Sequence, residues 1–304
     1  MIGEIPIVSF DTSTHNRVTD GGDVAEAVLA GLKSGLSFRF VGLSDEELLA
    51  TTNPTRRGNL LTTCARLQDG LSECIYPHNE LLTRMIVAHS QNPATFNWKT
   101  VDVKAREYER AIRSREFIPT ERMSDDERAE LQRLSDEQKT HLRERQDEYE
   151  TMFVNIRPEL EPIFARHGEE RPLTLREVVT RLQESGSSLI WDMGKLIYDR
   201  PAGTDASEAT IRAFADTCPP FRALLYAMVM SWYNLAMRGE TGERFEAGRN
   251  DLFMSMHLPY CDKFVSAEKH REQEKCLREI VALAGLETEI LSYDDFCASF
   301  LVTV

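Results

Sequence analysis

Short apolar strands alternate with amphipathic helices at both ends of this chain and nowhere between them, which restricts it to a parallel sheet completed by two distant segments. The run Ile5 to Phe10 is apolar, partly β-branched, and stops at Asp11. Its pattern predicts a buried strand followed by a polar turn from Asp11 to Asn16. A helix is expected over Gly21 to Ser34 and a second strand over Phe38 to Leu43. Ser44 and Glu47 then have capping-box spacing, so a helix should open there. Thr55 to Gln68 continues the helical pattern beyond Asn53-Pro54. Cys74 to Tyr76 reads as a third strand, and His78-Asn79 as the cap of a helix from Glu80 to His89.

Alternation returns only near the end. Lys263 to Ser266 and Glu287 to Leu291 read as strands, with an amphipathic helix, Lys269 to Ala284, between them and Gly285 at its end. A short helical stretch, Asp251 to Leu258, precedes them, and a helix and tail from Tyr293 follow. Between the two ends almost every segment has helical periodicity. Ser124 to Phe153 is dense in charge and predicts a long solvated helix or hairpin. Thr174 and Glu177 form a second capping box. The division is therefore 1–92 and 241–304 as two parts of one sheet domain, with 93–240 as a helical excursion from it.

Charge argues about partners. The chain has 36 Lys+Arg against 50 Asp+Glu, a net of -14, so its average field repels nucleic acid and anionic membranes. Any nucleic acid must be held by a local cationic patch or by metal ions. The longest apolar run, Leu224 to Met237, is too short to span a bilayer and carries Ser231 and Asn234, so a buried helix is expected and no membrane partner. No secretory leader pattern opens the sequence. The six cysteines lack C-x-x-C or zinc-like spacing, which points to reduced, buried thiols and a cytoplasmic location.

Four acids fall at the strand ends. Asp11 closes the first strand, Glu47 lies in the helix after the second, Asp251 opens the segment before the fourth, and Glu268 follows that strand by two residues. Carboxyl ends of parallel strands line the site crevice in open α/β sheets. Carboxylates gathered there repel one another unless a divalent cation neutralises them, and Mg²⁺ or Mn²⁺ takes oxygen ligands. Such a centre polarises phosphoryl oxygens and activates water. Each acid also has a structural reading, as turn residue, cap or first-turn helix acid.

These segments resemble the PIN-domain nucleases. The run Ile7 to Val18, IVSFDTSTHNRV, is similar to that family's opening strand and first catalytic aspartate, here Asp11. GLSDEELLAT resembles its second element, with the glutamate at Glu47. NDLFMSMHLPYCDKFVSAEKH resembles the C-terminal half, with Asp251 and Glu268 in the two acidic places and Ser266 where the family has Thr or Ser. The resemblance covers roughly the first 90 and last 60 residues. It implies a three-layer α/β/α PIN-like parallel sheet with a long all-helical insertion, and Mg²⁺- or Mn²⁺-dependent hydrolysis of phosphodiester bonds in single-stranded RNA. The insertion would then restrict access, recognise substrate or form a homo-oligomer interface. Glu268 replaces the family's aspartate, and with the net charge this leaves open a degenerate nuclease acting as a binding or scaffold protein. DNA in place of RNA is a further alternative. No protein partner is implied.

Asp45 and Glu46 compete with Glu47 for its role, and Asp262 is expected to be structural or to support the metal ligands, with direct metal contact as the lesser alternative. Ser266, His257, Arg56 and Arg57 are candidate substrate contacts. His15 and His270 read as incidental. Arg106, Arg110 and Arg113 share a helix face, more in keeping with solvated, paired charge than with a phosphate track. Trp191 and Trp232 read as core.

Overall fold

The computed structural model describes residues 6–21, 26, 30, 36–67, 73–107, 109–110, 123–165, 173–238, 253–268 and 272–301. Five strands form one parallel sheet: β1 (Ile7–Phe10), β2 (Ser37–Val41), β3 (Glu73–Ile75), β4 (Lys263–Ser266) and β5 (Glu289–Ser292). Their order is β3-β2-β1-β4-β5. The chain therefore builds outward from β1 in one direction, then returns to build outward in the other. β1 pairs in parallel with β2 through Val8 and Phe38, and with β4 through Phe10 and Val265. Its two neighbours come from opposite ends of the sequence, so the crevice beyond β1 and β4 is the topological switch point of the sheet.

β1 is buried on both faces because helices cover both sides. Val8 and Phe10 are fully buried, and Phe10 meets Phe38 and Phe296 edge-on at 5.1 and 5.5 Å. Full burial of each such side chain contributes about 1.5–3 kcal/mol.

Immediately after β1 comes helix α1 (Thr12–Asp20), where a polar turn was expected. The reason is local: the Asp11 side chain accepts from Thr14 N–H and caps the helix. Thr14, His15 and Val18 form its buried face. The helix expected over Gly21 to Ser34 lies mostly outside the described residues. Helix α2 (Gly42–Leu49) begins earlier than the Ser44–Glu47 box predicts. Val41 is its N-cap without a side-chain bond, and Ser44 is buried inside the helix. The second box forms as expected: Thr174 and Glu177 exchange both bonds.

Helices α3 (Pro54–Leu67) and α4 (His78–Gln91) follow. One continuous helix, α5 (Asp125–Ala165), occupies the charged region, and α6 (Leu175–Glu184), α7 (Leu189–Ala202), α8 (Glu208–Thr217) and α9 (Pro219–Arg238) complete the helical region. A 3₁₀ stretch, Met254–Tyr260, leads into β4, and α10 (Glu272–Ala284) and α11 (Tyr293–Leu301) finish the fold.

The helical region is built into the sheet domain. Trp232 on α9 is buried, as expected, while Trp191 is half-buried against the core. Arg222 of α9 donates to Ala284 O at the end of α10 at 2.8 Å, and Tyr198 of α7 meets His89 of α4 at 2.7 Å. Gly285 ends α10 at φ 64°, where Leu286 N–H reaches Val281 O. All six cysteines are buried and unbridged. Among the described residues, no helix is long and apolar enough to cross a membrane.

Candidate functional site

The end of β1 is stitched to the end of β4. Asp11 N–H donates to Val265 O at 3.1 Å, and the Thr14 hydroxyl donates to the same carbonyl at 2.9 Å. Asp11 is only 2% exposed. Its carboxylate accepts from Thr14 N–H at 2.6 Å and from the Ser13 hydroxyl at 2.8 and 2.9 Å. Burial raises its pKa above the ordinary carboxylate range, and hydrogen bonds from Thr14, Ser266 and Ser13 offset part of that shift.

Two hydroxyls carry the arrangement outward from Asp11. The Thr12 hydroxyl donates to Glu47, which brings α2 to the start of α1. Ser13 Oγ accepts from Ala267 N–H at 3.0 Å, holding the loop after β4. In that loop the Ser266 hydroxyl, 3% exposed, accepts from Glu268 N–H at 3.4 Å. Asp11, Glu47, Ser266 and Glu268 thus surround the first turn of α1. Glu268 also borders a cleft of about 600 Å³ that runs along α1 past Ser13, Asn16, Arg17 and Asp20.

The acids are linked through hydroxyls. Among the described residues, no three His, Cys, Asp or Glu side chains form a group able to hold a metal ion. Asp251, the fourth acid expected, lies outside those residues, as do His270, Arg113 and the Asp45 side chain.

Of the competing acids, Glu46 is engaged elsewhere, and so is Asp262. Glu46 is 8% exposed and pairs with Arg145 of α5 at 2.7 Å. Asp262 sits at the opposite, amino end of the strands, where its carboxylate accepts from Ile7 N–H at 2.7 Å. That bond fixes the entry of β1, the structural role expected of it.

The candidate substrate contacts divide too. Ser266 lies at the site. His257 lies on the 3₁₀ stretch, 1% exposed, with Nε2 3.0 Å from Tyr76 O, and burial lowers its pKa to about 4. Arg57 is also 1% exposed; it donates to Thr51 O at 2.9 Å and Gln132 at 3.3 Å, so it ties α3 to α5. Successive helical side chains point apart, and Arg56 turns instead to α1. There it binds Asp20 at 2.8 Å and Asn16 at 3.0 Å. His15, read from sequence as a loop residue, is a core histidine against Phe10, Phe38 and Phe40, its pKa lowered by burial to about 3.

The sequence reading passed over Ser13, Arg17 and Asp294. Ser13 and Arg17 lie four apart, the spacing of one helix face, a signal that needs α1 to be recognised as a helix. Arg17 pairs with Asp294 at 2.9 Å and lies over the Tyr293 ring at 5.1 Å. A broader cleft, about 850 Å³, opens at the amino edge of the sheet beside Arg39, Trp98 and Tyr260. It lies away from the strand ends that form the switch point.

Protein-family models, curated proteins and solved structures were each compared with this chain, and none matches it.

Proposed function

We propose that this chain is a PIN-like, metal-dependent nuclease that hydrolyses phosphodiester bonds in single-stranded RNA. The observation that carries the reading is Asp11: a buried carboxylate at the end of β1, at the switch point of a parallel sheet, with Glu47 and Glu268 joined to it through Thr12 and Ser13.

By ligand type, though not by spacing among the described residues, the acids match a hard cation. Asp11, Glu47 and Glu268 offer carboxylate oxygens without a thiolate, matching Mg²⁺ or Mn²⁺. The partners described for Asp11 are hydroxyls and one amide. Asp251 joins the set on the sequence resemblance alone. A bound ion would supply polarisation of a phosphoryl oxygen and a water of lowered pKa. The protein's part is positional. Thr14 and Ser13 fix the Asp11 carboxylate, Thr12 orients Glu47, and Ser13 holds the loop bearing Glu268.

The second reading, a binding or scaffold protein on a degenerate nuclease fold, is favoured by the hydroxyl-linked spacing of the acids and by the net charge of -14. One assay separates the two. Labelled single-stranded RNA and DNA are incubated with Mn²⁺ and wild type, Asp11→Asn or Asp251→Asn. The nuclease reading expects RNA cleavage by wild type, lost in both folded variants. Absence of cleavage, with no calorimetric binding of Mn²⁺, leaves the scaffold reading. Cleavage of DNA alone changes the substrate class.

A further inference from the structure

Arg17 stands in the cleft that begins at Glu268, on the same face of α1 as Ser13. That face carries Ser13, Asn16, Arg17 and Asp20, and it extends about 10 Å along the helix from the Asp11 end. Arg17 and Arg56 both flank it, and they are held differently. Arg56 is locked: it makes two bonds to Asp20 and two to Asn16, and its side chain is 30% exposed. Arg17 is 49% exposed, and its ion-pair partner Asp294 is 66% exposed.

An exposed ion pair contributes little stability, because water and salt compete with it. Exchanging one anion for another at Arg17 therefore costs little. The Tyr293 ring beneath the guanidinium keeps it placed without covering it. A guanidinium offers a planar fork that matches phosphate oxygens. In a chain with a net charge of -14, a cation beside the proposed site is where an RNA backbone would gain a contact.

We infer that Arg17 binds the backbone phosphate of a nucleotide next to the scissile position, displacing Asp294, and that the cleft along α1 is the path of the single strand. This rests on the proposed nuclease reading and adds a substrate-binding residue to it. Asp294 then acts as a built-in competitor. It holds Arg17 in place when no strand is bound and weakens binding when one arrives.

The test measures binding apart from cleavage. A labelled single-stranded RNA is titrated with wild type, Arg17→Ala, Arg17→Lys and Asp294→Asn, with Ca²⁺ fixed and KCl varied, and anisotropy is read. Arg17→Ala is expected to weaken binding about 5- to 10-fold and to lower the slope of log K against log salt by about 0.7, the value for one phosphate contact on a single strand. Arg17→Lys should recover part of the affinity and most of the slope. Asp294→Asn, which leaves Arg17 intact, should tighten binding about 2-fold. Unchanged affinity and slope in both Arg17→Ala and Asp294→Asn, with wild type still binding and cleaving RNA, overturns the inference alone. Failure of wild type to bind RNA overturns the inference and the nuclease reading together.

Discussion

Glu46 and Arg145 meet at 2.7 Å although 99 residues separate them. The pair joins α2 to the long helix α5, and both side chains are mostly buried, at 11% and 16% exposure. Glu46 and Glu47 are neighbours in sequence with opposite tasks: one faces the helical region, the other faces Thr12. Removing the arginine leaves a carboxylate without its cation in a poorly solvated place. Arg145→Ala is expected to destabilise the fold by about 3 kcal/mol. Arg145→Met combined with Glu46→Gln should cost less, since no charge is left stranded. Urea unfolding of both variants checks this; equal losses would mean the pair is not coupled.

Four buried histidines are described, all with pKa values lowered by burial, and the three shifted furthest, His15, His78 and His257, dominate the dependence of stability on pH. Burial lowers the pKa values of His15 and His78 to about 3 and of His257 to about 4, and the charge of Arg145 and neighbouring His257 add to the shift at His78. The unfolded chain takes up these protons near pH 6.5, while the folded chain stays neutral. Stability is therefore fully present above that pH and is lost as pH falls toward 4. Asp11 works in the opposite sense, because burial raises its pKa and the folded state takes up its proton first. With three protons excluded, the loss approaches about 4 kcal/mol per pH unit near pH 5. A urea midpoint that holds steady from pH 7.5 to 4.5 would contradict this. His78→Gln should reduce the slope by about 1.4 kcal/mol per pH unit.

Much of the sheet was legible because strand ends are marked by composition. Asp11 and Glu268 are marked by the apolar runs that stop just before them, Ser266 only by the resemblance, and all three lie around the first turn of α1. The helix α1 itself was not legible. Its buried face is Thr14, His15 and Val18, and only Val18 is apolar, so Asp11 to Asn16 reads as a turn until the Asp11 cap is seen. The two capping boxes show the limit of a local motif. Thr174 forms its box because the helix starts there; Ser44 does not, because α2 already starts at Gly42 and Ser44 lies inside it. The different partners of Glu46 and Glu47 could not be read locally, since Arg145 reaches Glu46 from a distant helix. Arg56 and Arg57 look alike in sequence, and only the packing of α3 against α1 and α5 separates them.

Gly42 sits where α2 begins against the end of β3. A Cβ there would lie 2.6 Å from Pro77 Cδ, 2.8 Å from Pro77 N and 2.9 Å from Ile75 O. Two of these are backbone atoms, which cannot swing away. Gly42→Ala is expected to destabilise by about 1–3 kcal/mol, the usual cost of overpacking. The start of α2 must shift to relieve the contact, and Glu47 moves with it. In the nuclease reading, RNA cleavage should therefore fall in this variant at temperatures where it remains folded. Thermal melting and cleavage rate, measured on one preparation, check the two parts separately.

Asp11→Asn separates the role of the carboxylate in metal binding from its role in folding. Asparagine retains a side-chain oxygen able to cap α1 and removes a charge whose burial is unfavourable. In chelator, at a pH above the raised pKa of Asp11, the variant should melt higher than wild type. The gap should narrow as pH falls, because wild type then takes up the proton and loses the same buried charge. Mn²⁺ at 100 times its dissociation constant should stabilise wild type by about 2.7 kcal/mol, and the variant far less. The order of the two melting temperatures would then reverse between chelator and Mn²⁺. Scanning fluorimetry in both buffers reads this directly. If Mn²⁺ raises both proteins equally, or neither, Asp11 is a helix cap and not a ligand.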